Sequence, residues 1–153
     1  MSPESTPIIR RVTPKDVPGL VDLITTLSPQ SKRYFHPHPF DEPTIIELLS
    51  QSSKDMYFVQ ILDGTIIGYS MLRFFDHPTP SLGCCIRRGY EGKGYGTKLT
   101  QWTVRTARDL GHTRVILKVY KENQRAVHMY SKVGFSRYDE SPETKELYME
   151  LLL

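Results

Sequence analysis

The chain has 153 residues, 39% of them hydrophobic, which suits one domain spanning residues 1–153 with a buried core. A formal net charge of +3 is modest and gives no reason to expect nucleic acid or an anionic membrane as a partner. The sequence has no apolar run long enough to span a bilayer and no leader-like start, so we expect a cytoplasmic protein.

The first half of the chain alternates strand and helix signals. Residues 8–12 predict a strand, and residues 14–28 predict a helix whose apolar side chains recur at spacings of three and four. Residues 30–40 contain two His-Pro pairs, which exclude a helix and predict a shaped loop. Asp41 is then placed to cap a second helix that runs through residue 50.

The second half of the chain supplies most of the predicted strands. Residues 56–62 and 65–75 form two β-rich runs joined by Asp63-Gly64, a strong hairpin signal. Further strands are predicted over residues 81–86, 114–120, 135–139 and 147–152, with helices over residues 97–110 and 123–133. Seven strands and about four helices in mixed order indicate an α/β protein with a layered sheet.

Residues 87–99 hold four glycines between a predicted strand and a predicted helix. Glycines allow positive φ angles and close approach of a ligand, and amides at a helix start can then point at an anion. The run predicts a phosphate-binding turn. It does not fit a P-loop, because Gly92-Lys93 is followed by Gly94, nor the Gly-x-Gly-x-x-Gly spacing of a dinucleotide site.

Two motifs resemble those of the GCN5-related N-acetyltransferase (GNAT) superfamily. Residues 91–96, Glu-Gly-Lys-Gly-Tyr-Gly, resemble its pyrophosphate motif Arg/Gln-x-x-Gly-x-Gly/Ala, with Glu91 at the Arg/Gln position. Residues 122–135 follow the second motif through Asn123, Ala126, Tyr130 and the Gly-Phe pair. The resemblance implies a mixed, mostly antiparallel seven-stranded sheet and transfer of an acetyl group from acetyl-CoA to a primary amine. We expect no metal, because His36, His38 and Asp41 supply too few ligands for one.

The resemblance also implies roles for particular residues. Tyr130 would be the general acid that protonates the thiol leaving group, although its spacing from Ala126 and Val133 also fits a core position. Asn123 would cap its helix and contact the cofactor arm. The remaining cofactor-binding residues would lie on the strand before the glycine loop and in the loop itself: Cys84, Cys85, Ile86, Gly92, Lys93, Gly94, Tyr95, Gly96 and Thr97. Cys84 and Cys85 are adjacent in a strand and cannot easily pair, as expected in a reducing compartment.

The general base remains open at this stage. Relatives that acetylate ribosomal proteins carry a glutamate five residues before the motif asparagine, and this chain has Lys118 there. His36 and His38 flank Pro37 in a loop that this fold would place near the acceptor cleft, where they either take a proton or only anchor the loop. The full set of candidates is His36, His38, Asp41, Asp76, His77, Glu91 or a water molecule.

Two classes of function fit these observations. One is an N-acetyltransferase acting on a primary amine, of a small molecule or of a protein or peptide. The other is a non-catalytic acyl-CoA-binding or regulatory module, favoured by Glu91 and Lys118 as departures from the family pattern. A homodimer through the sheet edge or the apolar C-terminus, residues 151–153, is a further expectation.

Overall fold

The computed structural model describes residues 6–51, 53–75 and 77–153. Seven strands form one sheet in the order β1-β2-β3-β4-β5-β7-β6. The strands are β1 (Ile8–Arg11), β2 (Met56–Leu62), β3 (Thr65–Arg73), β4 (Ser81–Ile86), β5 (Arg114–Tyr120), β6 (Ser136–Ser141) and β7 (Glu146–Leu152). Five α-helices accompany them: α1 (Val17–Thr26), α2 (Pro29–Tyr34), α3 (Glu42–Ser50), α4 (Tyr95–Asp109) and α5 (Gln124–Val133).

The sheet is mixed and mostly antiparallel, which confirms the predicted fold class. Every neighbouring pair of strands is antiparallel except β4 and β5, which are parallel. The connection between these two strands contains the glycine loop and α4, as a parallel crossover requires. The loop therefore lies at the end of β4, in the middle of the sheet.

Two layers of helices cover the sheet and define two core clusters. One cluster joins α1 and α3 to Tyr57, Val59, Tyr69 and Met71 of β2 and β3. The other joins α4 and α5 to the opposite faces of β2 to β4 and extends over β5 and β7. Successive strand residues point to opposite faces, so neighbouring residues such as Tyr57 and Phe58 belong to different clusters.

Helix α2 was not predicted, because residues 30–40 were expected to form a loop throughout. Ser28 caps the helix by accepting a hydrogen bond from Ser31 N at 3.1 Å, and Pro29 occupies its first turn. The prolines exclude helix only from residue 36 onward, where the chain does become irregular. A short helix of six residues therefore takes the place of the first part of the predicted loop.

No helix in the described ranges is long and apolar enough to cross a membrane.

Candidate active site

A gap opens in the sheet between β4 and β5. In the described part of the chain, their ladder consists of Ser81 opposite Ile116, and Ile116 N donates to Pro80 O at 3.0 Å. β4 remains paired with β3 up to Ile86, and β5 remains paired with β7 up to Tyr120. The facing edges of β4 and β5 thus separate towards the glycine loop, and the ladder between them does not continue there in the described residues.

The glycine loop leads directly into the first turn of α4. Gly89, Gly92 and Gly94 have φ angles of 96°, 74° and 89°, a region that side-chain-bearing residues rarely adopt. Gly94 is the N-cap of α4 and has no side chain to accept hydrogen bonds from the helix start. The first amides of the helix, Tyr95 to Thr97, therefore remain available to an anion. Lys93 lies in the same loop and is exposed.

Arg87 anchors the start of this loop, a role that the sequence analysis missed. Its guanidinium donates to Ile66 O at 2.8 Å and to Asp22 of α1 at 2.8 Å, while its backbone N donates to Ile67 O at 2.6 Å. The side chain is buried. The first position of the glycine loop is thereby fixed to β3 and α1.

Tyr130 of α5 reaches across to β4. Its hydroxyl lies 3.4 Å from Cys84 Sγ, which is also 3.6 Å from the hydroxyl of Thr100 in α4. The ring packs edge-on against Phe135, and the residue is only 6% exposed. Tyr130 is therefore a core residue whose hydroxyl lies beside β4, a strand that borders the gap.

Burial dominates the ionisation of this cluster. It raises the pKa of Tyr130 well above 10.0, and the neighbouring Cys84 raises that pKa further. Burial also raises the pKa of Cys84, against hydrogen bonds to Tyr130 and Thr100 that lower it, and raises the pKa of Cys85. All three groups are therefore protonated at neutral pH, and both cysteines are free thiols.

Asn123 closes the other side of the gap at the start of α5. Its side chain caps the helix by accepting from Ala126 N at 3.4 Å, and its backbone N donates to Tyr120 O at 2.9 Å. The predicted capping role is confirmed.

Helix α2 lies over the mouth of the gap. Ser31 Oγ is 3.4 Å from a carboxylate oxygen of Glu91 in the glycine loop, and Arg33 forms an ion pair with Glu122 beside Asn123. Glu91 also pairs with Arg125 of α5 at 3.6 Å. Glu91, the acid at the Arg/Gln position of the motif, therefore contacts both α2 and α5.

His36 follows α2 and meets Tyr120, the last residue of β5. Its Nε2 is 3.2 Å from the Tyr120 hydroxyl, and the Tyr34 ring lies 5.8 Å from the Tyr120 ring. Tyr120 was absent from the predicted site. The strict alternation of β5 could have revealed it, because it points to the same side as Lys118, the position already singled out.

His38 has both ring nitrogens occupied. Nδ1 lies 2.8 Å from Pro39 O, and Nε2 lies 2.9 Å from the hydroxyl of Tyr69. Because the carbonyl can only accept, Nδ1 donates and Nε2 accepts from Tyr69. Burial lowers the pKa of His38 below 6.5, and the nearby Arg73 lowers it further. This histidine anchors the loop.

The other candidate bases lie elsewhere or have structural partners. Asp41 caps α3 through Thr44 N at 2.8 Å. His77 lies in the β3–β4 connection, at the opposite end of β4 from the glycine loop, where its Nδ1 accepts from Thr79 N at 3.0 Å. Asp76 falls outside the described residues.

A cavity of about 390 Å³ lies between α1 and the segment that follows α2. Its lining is mostly apolar and aromatic: Val21, Ile24, Thr25, Lys32, Phe35, His36, His38, Pro39 and Phe40. The volume lies within the range of small-molecule sites, and the cavity is open to solvent. Among the described residues, no group of three or more His, Cys, Asp or Glu side chains converges to hold a metal ion.

Known proteins share both the sequence pattern and the fold. An uncharacterized N-acetyltransferase of Mycobacterium bovis is 40% identical over 74 residues, 48% of this chain and 47% of that protein, so the chain spans about half the length of the curated relatives it matches. The GNAT domain of PAT from S. lividans superposes with a TM-score of 0.83 at 16% identity, over 97% of each chain. Spermidine N-acetyltransferase from Vibrio cholerae, in complex with CoA and spermine, gives 0.80 at 20% identity, over 95% of each chain.

These two solved structures support the fold, and a family model tests membership directly. The model, described as acetyltransferase (GNAT) family, matches residues 20–135, which include the glycine loop, Asn123 and Tyr130. The chain therefore belongs to the GNAT family of acetyltransferases.

Proposed function

We propose that this protein is an acetyl-CoA-dependent N-acetyltransferase that acetylates a primary amine of a small molecule, with Tyr130 as the general acid. The observation that carries the proposal is the gap between β4 and β5, which has the open start of α4 at its end and the Tyr130 hydroxyl beside Cys84. A ligand in the gap meets strand edges, helix amides and a proton donor together.

The chain's own groups fit acetyl-CoA. The amides of Tyr95, Gly96 and Thr97 suit a pyrophosphate, since the N-cap Gly94 leaves them without a side-chain acceptor. Unpaired backbone groups on Cys84 to Ile86 suit an extended arm with amide groups of its own. When bound, acetyl-CoA supplies the thioester whose acetyl group is transferred.

Tyr130 is assigned the proton that the departing thiolate requires. A general acid must carry its proton when the transfer step begins, and burial keeps this phenol protonated throughout the neutral range, although the same burial makes it a weaker acid than a free tyrosine. The contact with Cys84 Sγ at 3.4 Å holds the hydroxyl at β4, on the edge of the gap. A phenylalanine at this position would fill nearly the same volume but would have no hydroxyl proton to donate.

The cavity beside His36 favours a small acceptor with an apolar body. Its lining is mostly apolar and includes His36, which contacts Tyr120 at the end of β5, so an amine held there would lie on the α2 side of the gap. Tyramine has this character, and spermidine tests the substrate named for the Vibrio cholerae relative.

A non-catalytic acyl-CoA-binding module is the second candidate. It is favoured by the burial of Tyr130, whose hydroxyl is hydrogen-bonded within the core in the free protein. In that case the gap would bind acyl-CoA and Tyr130 would serve packing alone.

The test measures release of free CoA thiol from acetyl-CoA with tyramine, spermidine, kanamycin and a short peptide with a free N-terminus. We expect turnover with a small amine, and a loss of about 100-fold in kcat for Tyr130→Phe. The Kd for CoA, measured by calorimetry, should stay unchanged. Tyr138→Phe, which removes a hydroxyl from exposed β6, is the matched control.

Three results would contradict parts of the proposal. CoA binding without turnover on any amine favours the binding module. Turnover confined to the peptide moves the acceptor to proteins. Full activity of Tyr130→Phe at every pH removes this tyrosine from the mechanism.

A further inference from the structure

Tyr120 stands across the gap from Cys85. In the parallel pair Ser81 lies opposite Ile116, so four residues further along each strand Cys85 and Tyr120 are level. Cys85 comes four residues after Ser81 and Tyr120 four residues after Ile116. Because side chains alternate along a strand, Cys85 and Tyr120 point to the same face of the sheet, the one that α1 and α2 cover. Tyr130 meets β4 from the other face, at Cys84. The two tyrosines therefore border the gap from opposite sides of the sheet.

A histidine holds the Tyr120 hydroxyl. His36 Nε2 lies 3.2 Å from it and the two ring centroids are 6.3 Å apart, in a contact between residues 84 positions apart. His36 is exposed, so solvent can exchange protons with its ring. Imidazole is the side chain that gains and loses a proton near neutral pH.

Several charged groups surround this pair. Arg33 and Glu122 form an ion pair next to Tyr34 and Asn123, while Lys32 lines the adjoining cavity. Glu146 of β7 lies opposite Tyr120 in the ladder. The charges around the pair are therefore mixed in sign.

We infer that Tyr120 and His36 form the proton-accepting pair of acetyl transfer, with Tyr120 touching the acceptor amine and His36 acting through Tyr120. The inference rests on the proposed function and adds the group that the sequence left open. As the amine nitrogen forms its bond to the acetyl carbon, its N–H bond breaks and the proton passes to Tyr120 Oη. The Tyr120 proton passes in turn to His36 Nε2, and the imidazolium then releases a proton to water.

The proton balance closes without a further reactant. Tyr130 gives one proton to the departing thiolate on one face, and the His36 pair takes one from the amine on the other. Solvent returns a proton to Tyr130, so the net change is one acetyl group moved and one thiol released.

Competing bases on the same face are less well placed. His38 uses both nitrogens in the loop, as described above. Lys118 lies opposite Tyr148 in the ladder, and its ammonium stands 6.0 Å from the centre of that ring, on the β7 side. In the pair formed by Tyr120 and His36, Tyr120 lies at the edge of the gap and His36 is exposed to solvent.

The kinetic test compares His36→Gln, Tyr120→Phe and the double variant, with tyramine and spermidine as acceptors. We expect each single variant to lose about 100-fold in kcat and the double variant to lose no more, because the two groups act as one unit. Wild-type kcat should rise with pH through the neutral range, and this rise should shrink in His36→Gln. The ionisation of the amine is common to all variants, so the difference between them isolates His36. Added imidazole should restore part of the activity of His36→Gly.

Two substitutions serve as matched controls. His77→Gln changes a histidine at the opposite end of β4, and Tyr138→Phe changes an exposed tyrosine in β6. Both should stay within about twofold of the wild type.

A second readout does not depend on turnover. If Tyr120 donates to Nε2, neutral His36 carries its proton on Nδ1, and ¹⁵N NMR of the imidazole distinguishes the two tautomers. We expect the Nδ1–H form in the wild type and a mixture in Tyr120→Phe. A wild-type Nε2–H form would overturn the pair.

The outcomes separate the two proposals. Silence of the wild type with every acceptor overturns the proposed function and the role of the pair with it. An active wild type whose His36→Gln and Tyr120→Phe variants keep their rates overturns the pair alone.

Discussion

The two sides of the gap are built in different ways. On the cofactor side, the glycine loop and the start of α4 are consecutive in the chain and offer backbone amides. On the acceptor side, side chains from distant segments meet, as His36 does with Tyr120, 84 residues along the chain. One side depends on backbone conformation and the other on long-range side-chain contacts.

This difference indicates what each side tolerates. Binding by backbone amides should be lost when a substitution changes φ and should tolerate most other side-chain substitutions. Binding by exposed side chains should instead change only slightly with each substitution. Substitutions in the glycine loop should therefore have larger effects than substitutions of exposed side chains.

Gly94→Ala should weaken CoA binding about 30-fold, the loss expected for one hydrogen bond to a charged phosphate, about 2 kcal/mol. The φ of 89° at Gly94 is strained for alanine, and the N-cap must shift to relieve it. Calorimetric titration with CoA measures the effect.

Gly64→Ala is the matched control for this prediction. Gly64 has a φ of 79° in the β2–β3 turn, and an added Cβ meets no atom within 4 Å at either glycine. Both variants should lose about 1 kcal/mol in free energy of unfolding, but only Gly94→Ala should affect CoA. Equal CoA binding by the two variants would contradict a backbone site at Gly94.

Glu91→Gln should tighten CoA binding about threefold at low salt, because it removes a negative charge beside the proposed pyrophosphate site. The gain should fade at high salt, where charges on the surface are screened. Glu140→Gln in β6 makes the same change of net charge far from the gap and should leave CoA binding unchanged. Weaker binding by Glu91→Gln would mean that its contacts with Ser31 and Arg125 shape the site.

The acceptor side should show a small pH dependence of stability through His38. Its pKa is lowered in the folded protein, so below 6.5 the unfolded chain binds the proton more readily. Stability should therefore fall as the pH drops below 6.5, and should fall less in His38→Gln. Urea unfolding at pH about 7.5 and about 5.5 measures this, with exposed His128→Gln as the control. An equal fall in both variants would exclude His38 as the cause.

The sequence predicted the parts that depend on local pattern. Strand β4 agrees at both ends with the predicted run, and the hairpin at Asp63-Gly64 has the positive φ angles that its residues suggest. The glycine spacing likewise placed the loop before α4. These features are set by residues a few positions apart, where propensity and turn chemistry decide the structure.

The rest depends on contacts that a single sequence does not display. The apolar spacing of α4 predicts a buried face through Leu99, Trp102, Thr106 and Leu110, but Leu110 is 57% exposed and the buried stripe runs through Leu99, Thr103 and Ala107. Thr103 is buried because its hydroxyl donates to Leu99 O, which leaves Ser70 of β3 to donate to it across the interface. The alternation of β5 could have placed Tyr120 on the side of Lys118, but its contact with His36 of a distant segment is visible only in the structure.

The nearly unpaired junction of β4 and β5 has a consequence for anyone wishing to divide the chain into fragments. On a diagram of the sheet it resembles a seam, with β1 to β4 on one side and β5 to β7 on the other. Yet α4, which crosses from one set of strands to the other, packs through Val104 and Ala107 into a cluster that both sets share. A cut at the seam would therefore leave each fragment with half of a common core exposed, and the split sheet is held as one body by the helix that spans it.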